Sequence, residues 1–246
     1  MFSADILINE SDFDLHWQMT NCERFALQDL LRRLQPSLSI EVGTYQGGSL
    51  QVLSRFSEKV ISIDLNPDVA HKLKGKFANV EYRSGNSTNL LPELVQQMNE
   101  QASELEFILI DGDHSTIGVR RDIEALLKLE PKRRIVIVLH DSFNPDCREG
   151  MKTADWHSSP YVQWVELDFI PGVYHYEAYD TAAPRTMWGG FACAVLDPTP
   201  RQQPLTIQES QRGLFEAVFA DSAHVCQHHK PSLTRRVTRR VRRLLK

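Results

Sequence analysis

Ionisable side chains follow two short apolar runs of the chain, 107–110 and 135–139. They are Asp111, Asp113, His114, His140 and Asp141. Burying such groups without partners is costly, so five of them at the ends of core strands indicate a functional site. Carboxylate oxygens and imidazole nitrogens suit a divalent cation. Histidine also suits proton transfer, because its unperturbed pKa of about 6.5 lies close to neutrality.

The roles within this cluster stay open on the sequence alone. The catalytic candidates are His114, Asp111 and Asp113. His114 is either the general base for an acceptor hydroxyl or the residue that orients Asp111. Asp113 is either a member of the catalytic group or the N-cap of the next helix. His140 and Asp141 are either metal ligands or members of a hydrogen-bond network without a metal.

A second candidate site lies in the stretch 37–64. An apolar run over 38–42 is followed by a glycine turn, a helical pattern, and a second apolar run that ends in Asp64. This is the pattern of a strand–loop–helix–strand unit. Glycines at a strand tip let backbone N–H groups approach a ligand closely. An acid about 20 residues further on can accept hydrogen bonds from a ribose diol.

The glycine spacing favours one class of nucleotide ligand. From Glu41 to Gly47 it is E-x-G-x-x-x-G, whereas a pyrophosphate-binding turn carries G-x-G-x-x-G. A carboxylate at Glu41 suits a nucleoside joined to an amino acid, which needs no phosphate cradle. An ordinary strand–helix turn is one alternative. A nicotinamide-dependent oxidoreductase or epimerase is another, and the missing third glycine and the absence of a Tyr-x-x-x-Lys pair count against it.

The elements that must position these residues alternate between strand and helix patterns. Four strand–helix repeats with ligand-type residues at the strand ends predict a parallel, doubly wound sheet with its site beyond the carboxyl ends. Strands at 162–169 and 188–196, with no helix between their patterns, predict an antiparallel closing pair. Helices are predicted over 22–34 with Asn21 as N-cap, and over 67–77, 89–102, 116–129 and 205–225. The expected fold class is α/β, a Rossmann-like, doubly wound, mostly parallel seven-stranded sheet with an antiparallel last strand, an N-terminal helix and a C-terminal helical extension.

Composition sets the broad class. The chain has 246 residues, of which 41% are hydrophobic and 24% charged, as in ordinary globular proteins. Its four cysteines are scattered, which favours reduced thiols in a cytoplasmic protein. The acidic N-terminus does not look like a signal peptide, and no apolar run approaches the roughly 18 residues of a membrane span.

The last 17 residues differ sharply from the rest. The stretch 230–246 holds eight basic residues and no acid, although the net charge of the chain is −4. Its apolar residues fall on one helical face: Leu233, Val237, Val241, Leu244 and Leu245. This pattern favours an anionic membrane surface at the inner face of the membrane, to which the protein would bind peripherally. Nucleic acid is the disfavoured rival, because no aromatic side chain lies among the arginines. A tail that docks on the acidic body or stays solvated is the third alternative.

Taken together, these motifs resemble class I S-adenosylmethionine-dependent methyltransferases. The resemblance is to the group with D-G-D-H and H-D signatures, related to metal-dependent sugar and macrolide O-methyltransferases and cephalosporin-hydroxylase-like proteins. It rests on the glycine loop, Asp64 and the segments FILIDGDH and IVIVLHDS, and covers roughly residues 34–196. Two positions depart from the group: Thr116 replaces an aromatic residue, and Ser142 stands where catechol-type enzymes carry an asparagine ligand.

The resemblance implies domain boundaries and a set of ligand contacts. The domains would be an N-terminal segment and helix (1–36), a class I methyltransferase domain (37–197), and a linker, helix and basic amphipathic tail (198–246). The expected cofactor contacts are Glu41, Gly43, Thr44, Gly47, Ser49, Asp64, Leu65, Asn86, Ser87 and Asp111. Asn86 and Ser87 would either meet the adenine or cap the following helix. The implied metal ligands are Asp111, His140 and Asp141, for Mg²⁺ or a similar cation.

The expected reaction is methyl transfer from S-adenosyl-L-methionine to oxygen. The acceptor would be a hydroxyl of a sugar or glycan, a glycolipid or a secondary metabolite, and a homo-oligomer is also expected. A non-catalytic relative that binds the cofactor without turnover is the remaining alternative.

Overall fold

The computed structural model describes residues 13–179 and 182–225. The helices are α1 (Asn21–Leu34), α2 (Gly48–Phe56), α3 (Pro67–Leu73), α4 (Ser87–Glu100), α5 (Thr116–Leu126), α6 (Pro145–Thr153) and α7 (Arg212–Asp221), with a short 3-10 helix at Trp156–Ser158. The strands are β1 (Leu38–Val42), β2 (Lys59–Asp64), β3 (Val80–Ser84), β4 (Leu105–Ile110), β5 (Ile135–His140), β6 (Val162–Ile170), β7 (Val173–His175), β8 (Thr186–Trp188), β9 (Phe191–Leu196) and β10 (Ile207–Gln208).

Eight of these strands form one sheet in the order β10-β6-β9-β5-β4-β1-β2-β3. All neighbours pair in parallel except β9, which runs antiparallel between β5 and β6. From β1 the chain adds β2 and β3 on one side, and then adds β4 and β5 on the other side. The switch point of this doubly wound sheet lies between β1 and β4, and a crevice opens at the carboxyl ends of these two strands. The predicted Rossmann-like class is therefore confirmed, with β10 as an eighth strand at the edge.

Helices cover both faces of the sheet because its central strands are apolar on both sides. Ile40, Ile108 and Ile137 face a cluster that includes residues of α4 and α5. Phe107, Leu109 and Val138 of the same strands face α1 and α2 on the other side. All these side chains are buried. Burial on both faces holds the strand ends, and therefore the residues that follow them, in fixed positions.

Several element boundaries differ from the prediction. Helix α1 begins at Asn21 and is capped by Thr20, because Thr20 and Glu23 form a reciprocal capping box. Helix α3 ends at Leu73, four residues earlier than predicted. Helix α5 ends at Leu126, three residues earlier than predicted.

The C-terminal part of the fold differs more. The predicted strand 188–196 is split by Gly189 and Gly190, both at positive φ, into β8 and β9. Strands β7 and β8 form a separate hairpin. The predicted helix over 205–225 becomes the edge strand β10 followed by the shorter α7. Among the described residues no helix is long and apolar enough to cross a membrane. The basic stretch 230–246 lies outside them.

Candidate active site

The loop between β1 and α2 requires glycine at two positions. Gly43 has φ +88°, and a Cβ there would lie 2.0 Å from the carbonyl oxygen of Asp111. The loop therefore passes against the end of β4 at a distance that only glycine permits. Gly47 is the N-cap of α2 and has φ +84°. Both glycines position the N-terminus of α2 beside the crevice.

Glu41 lies beneath this loop and is fully buried. Ser49 Oγ donates to one carboxylate oxygen at 2.5 Å, and Thr44 Oγ1 donates to the other at 2.8 Å. Burial raises the pKa of Glu41 to about 8, although these two hydroxyl groups oppose the shift. Glu41 does not line the cavity described below. Glu41 therefore supports the loop from below, and its direct contact with the cofactor stays a prediction.

Asp64 holds the same loop from the side. Its Oδ2 accepts hydrogen bonds from the backbone N–H groups of Thr44 and Tyr45, each at 2.9 Å. Its Oδ1 accepts from the N–H of Asn66 at 2.8 Å. Asp64 lines the cavity, as does Leu65, whose side chain is 72% exposed. A carboxylate has further lone pairs, so Asp64 can brace the loop and still accept a hydrogen bond from a ligand.

An N-terminal segment that the sequence did not reveal covers this region. A Cβ on Gly48 would lie 1.9 Å from Trp17 Cβ, so the third glycine of the loop serves the packing of Trp17. The side chain of Gln51 pairs with the backbone of Leu15, donating to its carbonyl oxygen at 2.8 Å and accepting from its N–H at 3.0 Å. Residues 16–20 consequently form one wall of the cavity.

The cavity has a volume of about 1030 Å³ and lies at the carboxyl ends of the central strands. Small-molecule sites typically span about 300–1,000 Å³, so there is room for a nucleoside and a second ligand. The predicted site residues that line it are Gly43, Thr44, Ser49, Asp64, Leu65, Asn86, Ser87, Asp111, Asp113, His114, His140 and Asp141. Of the predicted set, Glu41 and Gly47 stay outside the wall.

Asn86 and Ser87 combine the two roles left open by the sequence. Asn86 caps α4, and its side-chain oxygen accepts from the N–H of Thr88 at 2.9 Å. Ser87 is the first residue of that helix. Both line the cavity, so capping does not remove them from the site. Asp113 differs, because Ser115 and not Asp113 caps α5, while Asp113 Oδ1 accepts from the N–H of Ser115 at 2.8 Å.

Four of the five ionisable residues at the ends of β4 and β5 lie together, whereas Asp113 bonds within its own loop. His114 Nε2 lies 3.3 Å from Asp111 Oδ1 and 3.2 Å from Asp141 Oδ2. His140 Nδ1 lies 3.0 Å from Asp111 Oδ1. Asp141 has φ +59°, and its Oδ1 accepts from the N–H of Gly189 at 2.5 Å. Such a backbone conformation is costly for a residue with a side chain and is concentrated at functional sites.

The charges of this cluster support one another. Burial alone would raise the pKa of Asp111, but the neighbouring imidazoles of His140 and His114 outweigh burial and lower it to about 2. Burial would lower the pKa of His140, yet Asp111 and Asp141 raise it well above its ordinary value. The hydrogen bond to Asp111 raises the pKa of His114 against the effect of burial. Carboxylates and imidazoles therefore alternate in the site, and each favours the charged form of its neighbours.

Three of these residues fit a divalent cation. Asp111, His114 and Asp141 each offer one ligand atom, and these atoms lie within 4.8 Å of one another. The histidine of this group is His114, whereas the predicted one was His140. His140 instead lies between Asp111 and Glu23, with its Nε2 3.5 Å from Glu23 Oε1. His114 is open to the cavity, with 46% of its side chain exposed, whereas the side chain of His140 is only 6% exposed, and this difference favours His114 as the ligand.

Aromatic side chains also line the cavity. Trp188 meets the ring of His114 edge-on at 6.0 Å, and His175 stacks on Tyr179 at 5.7 Å. Trp188, His175 and Tyr179 belong to the β7–β8 hairpin region and line the cavity. Trp156 is a core residue whose Nε1 donates to the carbonyl oxygen of Met151 at 2.7 Å.

Comparison with known proteins identifies the domain. Residues 40–142 match a family model described as a methyltransferase domain. Over these residues the chain is similar to the methyltransferase domain family. The matched residues run from β1 to the residues after β5, and include the glycine loop, Asp64 and the ionisable cluster. The match bears out the predicted enzyme class, an S-adenosylmethionine-dependent methyltransferase.

Solved structures share the fold of this methyltransferase at low sequence identity. A cofactor-bound protein from MTB is 20% identical, with a TM-score of 0.51 over 79% of this chain and 88% of the other. An O-methyltransferase from Bacillus cereus in complex with SAH is 18% identical, with the same score over 78% and 88%. The O-methyltransferase TomG from Streptomyces achromogenes, involved in tomaymycin synthesis and solved with SAM, is 17% identical, with the same score over 79% and 87%. No curated protein matches the chain by sequence.

Proposed function

We propose that this methyltransferase transfers a methyl group to a hydroxyl oxygen of a sugar or another polyol. The observation that carries the proposal is the position of His114, Asp111 and Asp141 in the wall of the cavity that also contains the glycine loop. An alcohol needs a proton acceptor when its oxygen attacks a methyl group, and this cluster offers one at the place where a second ligand fits.

The glycine loop and Asp64 suit S-adenosylmethionine, which supplies the methyl group when it is bound. The exposed side of Asp64 faces the cavity and suits the ribose hydroxyls. Leu65 offers an apolar surface to the adenine, and Asn86 and Ser87 offer polar groups to its edge. The two related O-methyltransferases solved with SAM and SAH support this assignment.

On the acceptor side, His114 suits the role of general base. Its side chain is 46% exposed, so a ligand can reach it, and Asp111 and Asp141 hold the ring in place. Because its pKa is raised, we expect the base to become available as the pH rises through that value. Most of the rate enhancement then comes from alignment of the hydroxyl with the methyl group.

The aromatic and acidic walls together favour a polyol over an apolar acceptor. Trp188, His175 and Tyr179 present ring surfaces on which the C–H face of a sugar can pack. The carboxylates of Asp111 and Asp141, which also line the cavity, can accept hydrogen bonds from hydroxyl groups. A divalent cation held by Asp111, His114 and Asp141 would lower the pKa of an acceptor hydroxyl. With the cation bound, His114 is a ligand and the need for a protein base falls.

Substitution of His114 tests the proposal. Full-length protein is incubated with labelled S-adenosylmethionine and a panel of sugars, glycosides, catechols and apolar alcohols. In His114→Ala we expect kcat to fall about 10²–10⁴-fold, the usual contribution of a general base or metal ligand, with the Kd for S-adenosylhomocysteine unchanged. The control is His71→Ala, an exposed histidine on α3 outside the cavity, which should retain full activity. Unaltered turnover in His114→Ala would remove His114 from the chemistry.

The same assay with a chelator separates the metal from the metal-free network. If the cation assists, EDTA abolishes transfer and Mg²⁺ or Mn²⁺ restores it. Equal rates with and without EDTA would reject the cation and leave the metal-free network of histidines and aspartates as the working site. Methylation of apolar alcohols in preference to polyols would reject the acceptor class.

A further inference from the structure

Glu23 is a buried carboxylate at the start of α1, and only 1% of it is exposed. One oxygen, Oε2, accepts a hydrogen bond from the N–H of Thr20, while the N–H of Glu23 donates to Thr20 Oγ1 at 3.3 Å. This reciprocal pair is a capping box, which satisfies two backbone donors at the helix start. The capping box uses Oε2 of Glu23 and does not involve Oε1.

The other oxygen, Oε1, points into the active site. It accepts a hydrogen bond from the N–H of Gly190, in the turn between β8 and β9. The preceding residue, Gly189, donates its N–H to Asp141 Oδ1 at 2.5 Å. Two successive N–H groups of one turn are therefore held by two carboxylates, one on α1 and one in the ionisable cluster. A side chain on Gly189 would collide with Glu23, since a Cβ there would lie 2.6 Å from Oε1.

His140 joins the same oxygen to the reacting end of the site. Its Nε2 is buried, makes no hydrogen bond to another described atom, and lies 3.5 Å from Glu23 Oε1. Its Nδ1 lies 3.0 Å from Asp111 Oδ1. The imidazole thus bridges Glu23 and Asp111. The side chain of His140 is only 6% exposed and packs against the ring of Phe191, which limits its freedom to turn.

We infer that Glu23 is a positioning residue that couples α1 to Asp111 and Asp141. Thr20, Asn21 and Glu23 all line the cavity, so the start of this helix lies beside the ligands. Glu23 bonds to the Gly189–Gly190 turn, which also holds Asp141. Its Oε1 lies beside the His140 ring that contacts Asp111. The inference rests on the proposed function in taking these two aspartates as members of the reacting group.

Glu23→Gln separates capping from positioning. Glutamine also completes a capping box, so its amide oxygen can keep the bond to the N–H of Thr20. Its NH₂ group then faces the N–H of Gly190, and two donors cannot bond to each other. The matched control is Leu31→Ala. Leu31 is fully buried and lies two turns further along the same helix. Its replacement by alanine weakens the packing of α1 and leaves Glu23 in place.

The first readout is the imidazole NMR signal of His114 in the labelled full-length protein, with and without S-adenosylhomocysteine. His114 contacts Asp111 and Asp141 but not Glu23. We expect this signal to shift or broaden in Glu23→Gln and to stay as in the wild type in Leu31→Ala. Changes confined to Thr20 and Gly190 would reduce Glu23 to a helix cap and overturn the inference.

The second readout is turnover on an acceptor that the wild type methylates. We expect kcat of Glu23→Gln to fall at least tenfold with little change in KM, while kcat of Leu31→Ala stays within twofold. Equal kcat in Glu23→Gln and the wild type would contradict the inference. Failure of the wild type to methylate any acceptor would reject the proposed function instead, and the His114 signal would still decide the role of Glu23.

Discussion

Two carboxylates beside the glycine loop, Glu41 and Asp64, carry out different tasks. Glu41 is buried and bonded to two hydroxyl groups, so it stabilises the loop from within. Asp64 accepts two loop N–H groups and still borders the cavity. The first is a neutral, proton-holding group near pH 7 and the second offers acceptor atoms to a ligand. This difference leads to opposite expectations for their substitution.

For Glu41 we predict a pH-dependent contribution to stability that Glu41→Gln removes. The folded pKa is about 8, raised from an ordinary 4.5. Between these values the unfolded side chain is ionised while the folded one keeps its proton, so rising pH favours unfolding. The loss of stability is about 1.4 kcal/mol for each pH unit across that window, and it levels off above the folded pKa.

Urea unfolding of the ligand-free protein at several values from pH 4.5 to 9 measures this effect. The stability difference between Glu41→Gln and the wild type should move steadily in favour of the variant as the pH rises from 4.5 to 8. Parallel stability curves for the two proteins over this range would contradict a raised pKa at Glu41.

At the same scale, the sequence predicts residue types better than side-chain roles. The convergence of Asp111, His114 and Asp141 follows from strand ends that meet at one edge of a parallel sheet, which the apolar runs already indicate. The sequence predicts His140 as the histidine ligand, whereas the structure favours His114. His140 is set apart by its contact with Glu23, which lies more than 80 residues before either histidine in the chain. Spacing along the chain carries no information about such a contact.

The segment 13–20 and the start of α1 border the cavity. Its packing depends on Gly48, because Trp17 and the carbonyl oxygen of His16 occupy the space of a Cβ. We predict that Gly48→Ala displaces this segment, lowers the unfolding temperature and raises the Kd for S-adenosylhomocysteine at least tenfold. The colliding atoms belong partly to the backbone, so a change of rotamer cannot relieve the contact.

The collision at Gly48 determines whether Gly48→Ala lowers or raises the stability of the protein. Alanine is a better helix former than glycine by about 1 kcal/mol, so without the collision Gly48→Ala would stabilise α2. The control is Gly213→Ala on α7, where nothing lies within 4 Å of the added Cβ, and it should be neutral or stabilising. Thermal unfolding of both variants measures their stability, and calorimetric titration measures their Kd for S-adenosylhomocysteine. A Gly48→Ala protein as stable as Gly213→Ala would contradict the packing of Trp17.

Elements with strong periodicity were predicted well, and those held by tertiary contacts were not. Strands β1, β2, β4 and β5 are apolar enough on both faces to be recognised within one or two residues. The segment 13–20 has no periodic pattern, because it is held by tertiary contacts: Gln51 bonds to its backbone, Gly48 makes room for Trp17, and Arg24 donates to the carbonyl oxygen of Trp17. The break between β8 and β9 follows from positive φ at two glycines that the sequence pattern placed inside a strand.

For the molecule as a whole, the basic stretch 230–246 is a feature separate from the methyltransferase domain. It brings eight positive charges to a chain of net charge −4. We propose that it binds anionic membrane surfaces, since each basic residue near such a surface contributes about 1 kcal/mol. Deletion of residues 227–246 should leave the Kd for S-adenosylhomocysteine unchanged and abolish sedimentation with phosphatidylserine vesicles at low salt.

Neutral vesicles and a duplex DNA serve as controls for the same pair of proteins. Binding of the full-length chain to DNA but not to anionic vesicles would favour nucleic acid as the partner. Binding to neither would leave the stretch without an anionic partner and contradict the proposal.

The central claim is that the cavity binds S-adenosylmethionine through the glycine loop and Asp64. Calorimetric titration of the full-length chain with S-adenosylhomocysteine and with NAD tests it directly. We predict micromolar binding of S-adenosylhomocysteine, none of NAD, and at least tenfold weaker binding in Asp64→Asn. Asp68→Asn, a carboxylate four residues away that does not line the cavity, should bind like the wild type. Binding of NAD in place of S-adenosylhomocysteine, or equal binding by Asp64→Asn and the wild type, would contradict the account.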